Sequence, residues 1–258
     1  MCTLIAFHRV WEDAPLVVAA NRDERYDRPA TAPRWLEDPP ALAPRDDVAG
    51  GTWMGANRAG VWVGITNRHG PKPPDPHRRS RGRLCLDLLR ERSADAVVAA
   101  LDRLEEAYNP FHVVCGDGRT LSLVEYEEGD VRPRALGPGC HIVSNEPFDA
   151  TAEEPKVRRA WELLEKGGLW PVDVGGAAPA GVSKALAASL GDHGVRGPDA
   201  LCLHGGRYGT RSAAVWRLHP PAAPGDPPAF GLIYADGPPC STPFEPVPGG
   251  RPSRRSLP

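Results

Sequence analysis

Apolar residues in this chain fall into short runs, most of them bounded by glycine, proline, asparagine or aspartate. Residues 2–10 and 16–21 are two such runs, separated by the breakers Glu12, Asp13 and Pro15. They read as a hairpin of buried strands. Residues 50–55 and 61–66 read as a second hairpin around the turn Asn57-Arg58-Ala59-Gly60. Further strands are expected at 111–115, 121–126, 131–136, 141–145, 208–216 and 230–235, and 201–204 reads as the start of the last sheet section. The period changes elsewhere. Leu84, Leu88 and Leu89 share one face of a helix expected at 81–92 behind Ser80, and Val97, Val98, Leu101 and Leu104 share one face of a helix at 94–107 behind Ser93. Pro155 opens a helix at 155–166, which Gly167-Gly168 ends, and a shorter helix covers 182–190. Residues 25–50, rich in proline, read as an irregular lid or binding loop.

The order is strands, two helices, strands, two helices, strands. Hairpin-length links favour antiparallel sheets, and two sheets with helices outside make an α+β fold of four layers, αββα. One domain is expected over residues 2–240, followed by a proline-rich tail, 241–258, draped on the surface or unstructured.

Charge narrows the function. The 258 residues carry a formal net charge of -2, which offers no bulk attraction to nucleic acid or to acidic membranes. No apolar run approaches the about 18 residues of a membrane span, and no leader pattern opens the chain, so a cytoplasmic protein is expected. Cys2, Cys85, Cys115, Cys140, Cys202 and Cys240 form no C-x-x-C pair and no metal-ligand spacing with histidine. Cys85, Cys115 and Cys202 read as core residues, and His8, His112, His141 and His204 as hydrogen-bonded strand histidines. No metal and no cofactor are expected.

The candidate chemistry begins at Met1-Cys2. Removal of Met1 would leave a thiol and an α-amine on one carbon, a nucleophile with its own base. Polar residues stand at the ends of other strands: Asn21, Arg22, Asp23 and Glu24 after the second, then Asn67, Asn145 and Arg211. At a buried strand end such residues need partners or a purpose. An asparagine amide suits an oxyanion and an arginine suits a carboxylate or a thiolate.

These motifs, with Gly51-Thr52-Trp53, Ser80-Arg81-Gly82 and Tyr208-Gly209-Thr210-Arg211-Ser212 in the same order, resemble the NRDE family, that of the transport and Golgi organisation proteins. The layout is also similar to the cysteine branch of the N-terminal nucleophile hydrolases, which includes bile salt hydrolases and penicillin V acylases. The resemblance implies the αββα fold and cleavage of an amide (or thioester) bond in a small acylated substrate. It implies Cys2 as nucleophile, Asn145 and Asn67 at the oxyanion, and Arg211 as the late arginine. That branch carries an arginine and, three residues on, an aspartate after its second strand. Here either Arg22 with Asp23, or Asn21 with Glu24, holds those positions. The rival expectation is a non-catalytic lipid, acyl-CoA or haem carrier using the same cleft.

Overall fold

A computed structural model describes residues 3–194, 197, 199–223 and 225–248. The strands are β1 (Thr3–Trp11), β2 (Ala14–Arg25), β3 (Ala30–Trp35), β4 (Ala41–Asp46), β5 (Met54–Asn57), β6 (Trp62–Asn67), β7 (Phe111–Gly116), β8 (Leu121–Glu127), β9 (Asp130–Ala135), β10 (Gly139–Val143), β11 (Tyr208–His219), β12 (Ala229–Ala235) and β13 (Glu245–Pro246). The helices are α1 (Arg81–Leu88), α2 (Ala94–Leu101), α3 (Pro155–Lys166) and α4 (Val182–Leu190). The strands form two sheets, in the orders β10-β1-β2-β11-β12-β13 and β3-β4-β5-β6-β7-β8-β9, and every pairing is antiparallel.

Three apolar clusters define the layers. Leu4, Leu16, Val18, Trp62, Leu123 and Trp216 meet between the sheets. Ile5, Phe7, Val17 and Ala19 pack under α3 and α4, and Val63, Val113 and Val124 pack under α1 and α2. This is the αββα arrangement. β1 and β2 are apolar on both faces because both are covered, one by the other sheet and one by helices. Trp62 needs Gly64 beside it, since a Cβ there would come within 2.3 Å of the indole. No helix among the described residues is long and apolar enough to cross a membrane.

Several elements differ from the sequence reading; the helix expected over 81–92 stops at Leu88. β2 runs on to Arg25, so Asn21–Glu24 lie within a strand instead of ending it. Residues 30–35 and 41–46 form β3 and β4 instead of an irregular loop. Their prolines fit because β3 is an edge strand, with Pro33 at the irregularity between Thr31 and Arg34, and Pro44 lies beyond the residues that pair with β5. The helix expected over 94–107 stops at Leu101 in tighter turns, Arg103 N–H to Ala100 O and Leu104 N–H to Leu101 O. Finally, β13 extends the first sheet: Glu245 and Pro246 pair with β12 and Val247 packs on the inter-sheet core. Residues 249–258 of the expected tail lie outside the described residues.

Candidate active site

Cys2, like Met1, lies outside the described residues; its covalent neighbour Thr3 opens β1. Thr3 pairs with Asn21 of β2, and Leu4 pairs with Ala20 of β2 and Val143 of β10. β1 therefore starts between two strands. One continues into Arg22, and the other ends and continues into Ser144 and Asn145. Neighbouring strands are about 4.8 Å apart, so the chains carrying Arg22 and Asn145 flank this start about 10 Å from each other.

Alternation along β2 divides its polar run. Leu16, Val18 and Ala20 face the other sheet, while Val17 and Ala19 face the helices. Asn21 and Asp23 continue the helix side. The Asn21 Nδ2 donates to Leu190 O (2.9 Å) and Leu201 O (2.8 Å), so it satisfies a carbonyl left open at the end of α4. Asp23 pairs with Lys156 of α3 at 3.1 Å, both side chains fully buried, and accepts from the Thr210 hydroxyl at 2.6 Å. Arg22 and Glu24 continue the inter-sheet side. The Arg22 guanidinium lies 4.2 Å from the Trp53 ring centre and 3.8 Å from the Glu24 carboxylate. Of the pairings read from sequence, neither Arg22 with Asp23 nor Asn21 with Glu24 shares a face. The extra residue in the pairing here, Arg211, lies on β11 and not on β2, so residues two apart on β2 point the same way and the pair on the cleft side is Arg22 with Glu24.

Arg211 sits where β11 slips register against β2, between Thr210 and Ser212. Such an extra residue re-aims a side chain, and Arg211 donates to Asp236 at 3.0 Å. Near it stands Tyr234, which the sequence reading missed. Burial pushes its phenol up to about 12, offset by a hydrogen bond with Ser212 and by the charges of Arg22 and Arg211. Arg22, Arg211, Ser212 and Tyr234 thus form one group on the cleft side of the first sheet. A period-two count along β11 and β12, which puts Ser212 with Ala214 and Tyr234 with Leu232, is the signal that could have found the last two.

Asn67 and Asn145 meet directly. The Asn145 amide donates to the Asn67 carbonyl, and the His69 N–H donates to the Asn145 carbonyl at 2.8 Å. Both asparagines line a cavity of about 280 Å³ together with Arg68, Lys72, Arg81 and Tyr208. Among the described residues no carboxylate lines it, but Glu127 pairs with Arg68 and Glu128 with Lys72, each at 2.9 Å. The segment carrying Asn145 is held from beneath by His112, a fully buried residue that reads in sequence as an ordinary strand histidine. Its Nδ1 lies 3.1 Å from Ser144 O and its Nε2 3.1 Å from Glu125. The Glu125 carboxylate also accepts from the Phe148 N–H at 3.1 Å. The His112 hydrogen bond holds the Glu125 carboxyl down at about 2.

The fit to haem is poor. Among the described residues lining this cavity, His69 is exposed and engaged with Glu146 at 2.6 Å, the Tyr208 hydroxyl donates to Asp23 O at 2.8 Å, and the rest are arginine, lysine, asparagine, glycine and proline. Of the other cysteines, burial pushes Cys85 and Cys140 far up and Cys115 up to about 12, so these thiols are inert. Cys240 is exposed.

Residues 1–168 match the family described as Transport and Golgi organisation 2. The chain belongs to this family. Its curated relatives include the mouse Transport and Golgi organization 2 homolog, 32% identical over 139 residues, and the bovine Transport and Golgi organization protein 2 homolog, 27% identical over 233. The matches cover 50% of this chain and 50% of the mouse protein, and 78% and 80% for the bovine pair. Two solved structures share the fold: a Caenorhabditis elegans N-acylethanolamine-hydrolyzing acid amidase ortholog (TM-score 0.56, 10% identity, 83% of this chain and 92% of that one) and the penicillin V acylase of Agrobacterium tumefaciens (TM-score 0.53, 12% identity, 92% and 91%). At these identities the likeness concerns the fold alone.

Proposed function

We propose that this protein is an N-terminal cysteine hydrolase acting on an amide, or thioester, of a small acylated substrate. What carries the reading is the start of β1, flanked by Arg22 on one strand and Asn145 on the other, in a fold shared with two amide-cleaving proteins.

Removal of Met1 frees the α-amine of Cys2, which takes the thiol proton directly or through water. The thiolate attacks the acyl carbonyl, with Arg22 favouring the anion. Asn145 and Asn67 stabilise the oxyanion. The ammonium returns its proton to the leaving nitrogen as the C–N bond breaks and a Cys2 thioester remains. Water, deprotonated by the same amine, releases the acid and restores the thiol. In this reading Asp23 supports the strand from its far side and does not touch substrate. The cavity beside Asn67, lined by the amides of Asn67, Asn109 and Asn145 and by Arg81, with Arg68 and Lys72 paired to Glu127 and Glu128, suits a substrate with a polar head group.

The specific observation that favours a carrier is the Asn145 amide donating to the Asn67 carbonyl, which occupies one of its two N–H groups. Chromogenic N-acyl amides of several chain lengths separate the two readings. The hydrolase predicts turnover that falls by about 10³-fold or more in Cys2→Ala. Equal turnover in both proteins, or acyl-ligand binding with no turnover in either, overturns it.

A further inference from the structure

On the helix side of the first sheet, away from the proposed cleft, two loops bring two histidines and two cysteines together. His193 follows α4, Cys202 and His204 precede β11, and Cys240 follows β12. One ligand atom from each lies within 4.8 Å of all the others. The His204 Nε2 is 3.5 Å from the Cys202 sulfur and 3.2 Å from the Cys240 sulfur, and the two imidazole rings are 4.9 Å apart. With zinc–sulfur bonds of about 2.3 Å and zinc–nitrogen bonds of about 2.0 Å, the sulfur–nitrogen edge of a tetrahedral site is about 3.5 Å. We propose that His193, Cys202, His204 and Cys240 bind one zinc ion. Two thiolates and two imidazoles form the donor set that selects zinc over harder cations.

Local spacing hides this site, because its ligands span residues 193–240 and only Cys202-Leu203-His204 is contiguous. The fold closes the gap. The Cys202 N–H donates to Asp192 O at 2.8 Å, and the Asp192 carboxylate is held by Arg159 of α3 at 2.9 Å. The Leu203 N–H donates to the Thr210 hydroxyl, which in turn donates to Asp23. Such outer partners fix loop ligands in place. A cavity of about 670 Å³ borders His193, Cys202 and His204 and gives the ion a way in. With four protein ligands no position stays open for substrate, so the role is structural: the ion fastens two loops to the end of β2, one residue along from Arg22. Binding converts the two thiols to thiolates and releases two protons.

Cobalt(II) titration of the full chain, stripped of metal and kept reduced, tests this. The expected result is one equivalent bound, with a thiolate-to-cobalt charge-transfer band and the intense visible bands of a tetrahedral ion, all displaced by zinc. Cys240→Ser loses about half the charge-transfer intensity, His193→Gln keeps it but binds about tenfold more weakly or worse, and Cys2→Ala leaves the band intact. His193 and Cys240 are exposed, so neither change threatens folding. Absence of the band in the wild-type chain, an undiminished band in Cys240→Ser, or a Cys202–Cys240 disulfide that persists under these conditions overturns the assignment.

Discussion

The two faces of β2 carry the same kinds of residue and treat them differently. On the helix face, Asn21 and Asp23 are enclosed: one spans two backbone carbonyls, the other is bonded to Lys156 and Thr210. On the inter-sheet face, Arg22 and Glu24 meet at 3.8 Å, a loose ion pair, and Arg22 leans on Trp53. The first pair fastens the strand to the helix layer; under the proposed hydrolase reading, Arg22 of the second pair serves the chemistry. Four adjacent polar residues in one strand therefore divide between its two faces by the parity of their positions.

Substitutions test that division, and the largest effect lies on the helix face. Lys156→Met leaves the Asp23 carboxylate buried without its cation, at a cost of about 3–5 kcal/mol. Thermal unfolding checks this, since about 2–4 °C of midpoint is lost per kcal/mol in a chain of this size. A loss below about 1 kcal/mol breaks the comparison. Arg22→Ala and Asn145→Ala work in the opposite sense. Each lowers kcat by about 10²–10³-fold with a change in unfolding midpoint much smaller than that of Lys156→Met. Acid probes the support beneath Asn145. The Glu125 carboxyl is held down at about 2 in the folded chain, against an ordinary value of 4.5. Its contribution is therefore complete above pH 4.5 and is lost as the pH falls toward 2. Amide exchange at residues 144–148 should accelerate across that window in the wild type, and Glu125→Gln should show the faster exchange already at neutral pH. The smallest effect is expected at Glu24→Gln. Its contacts with Arg22 and Arg28 are long and partly solvated, worth under about 1 kcal/mol.

Local signals in the sequence reached a good part of this. Pro155 and Gly167 bracket α3, and the apolar run 182–190 coincides with α4. The polar strand ends directed attention to Asn67 and Asn145, which do meet. What stayed hidden depends on partners from distant layers. Asn21–Glu24 read as a strand terminus because nothing nearby in sequence shows that the Leu190 and Leu201 carbonyls and Lys156 will satisfy the helix face. Pro33 and Pro44 read as breakers because edge position and register are decided by the sheet. His112 could not be told from any buried strand histidine until Ser144, 32 residues away, closed its hydrogen bond. The histidine and cysteine cluster follows the same rule, with Cys240 reaching His204 from 36 residues away.

The central claim concerns Cys2, and intact mass reads it directly. The chain is treated with a small cysteine-reactive acyl probe in a Cys240→Ser background, which removes the exposed cysteine among the described residues. The account predicts a chain that has lost Met1 and gains one adduct, rapidly, and a Cys2→Ala derivative that gains none. A chain that retains Met1, or one labelled no faster at Cys2 than at its buried cysteines, would contradict it.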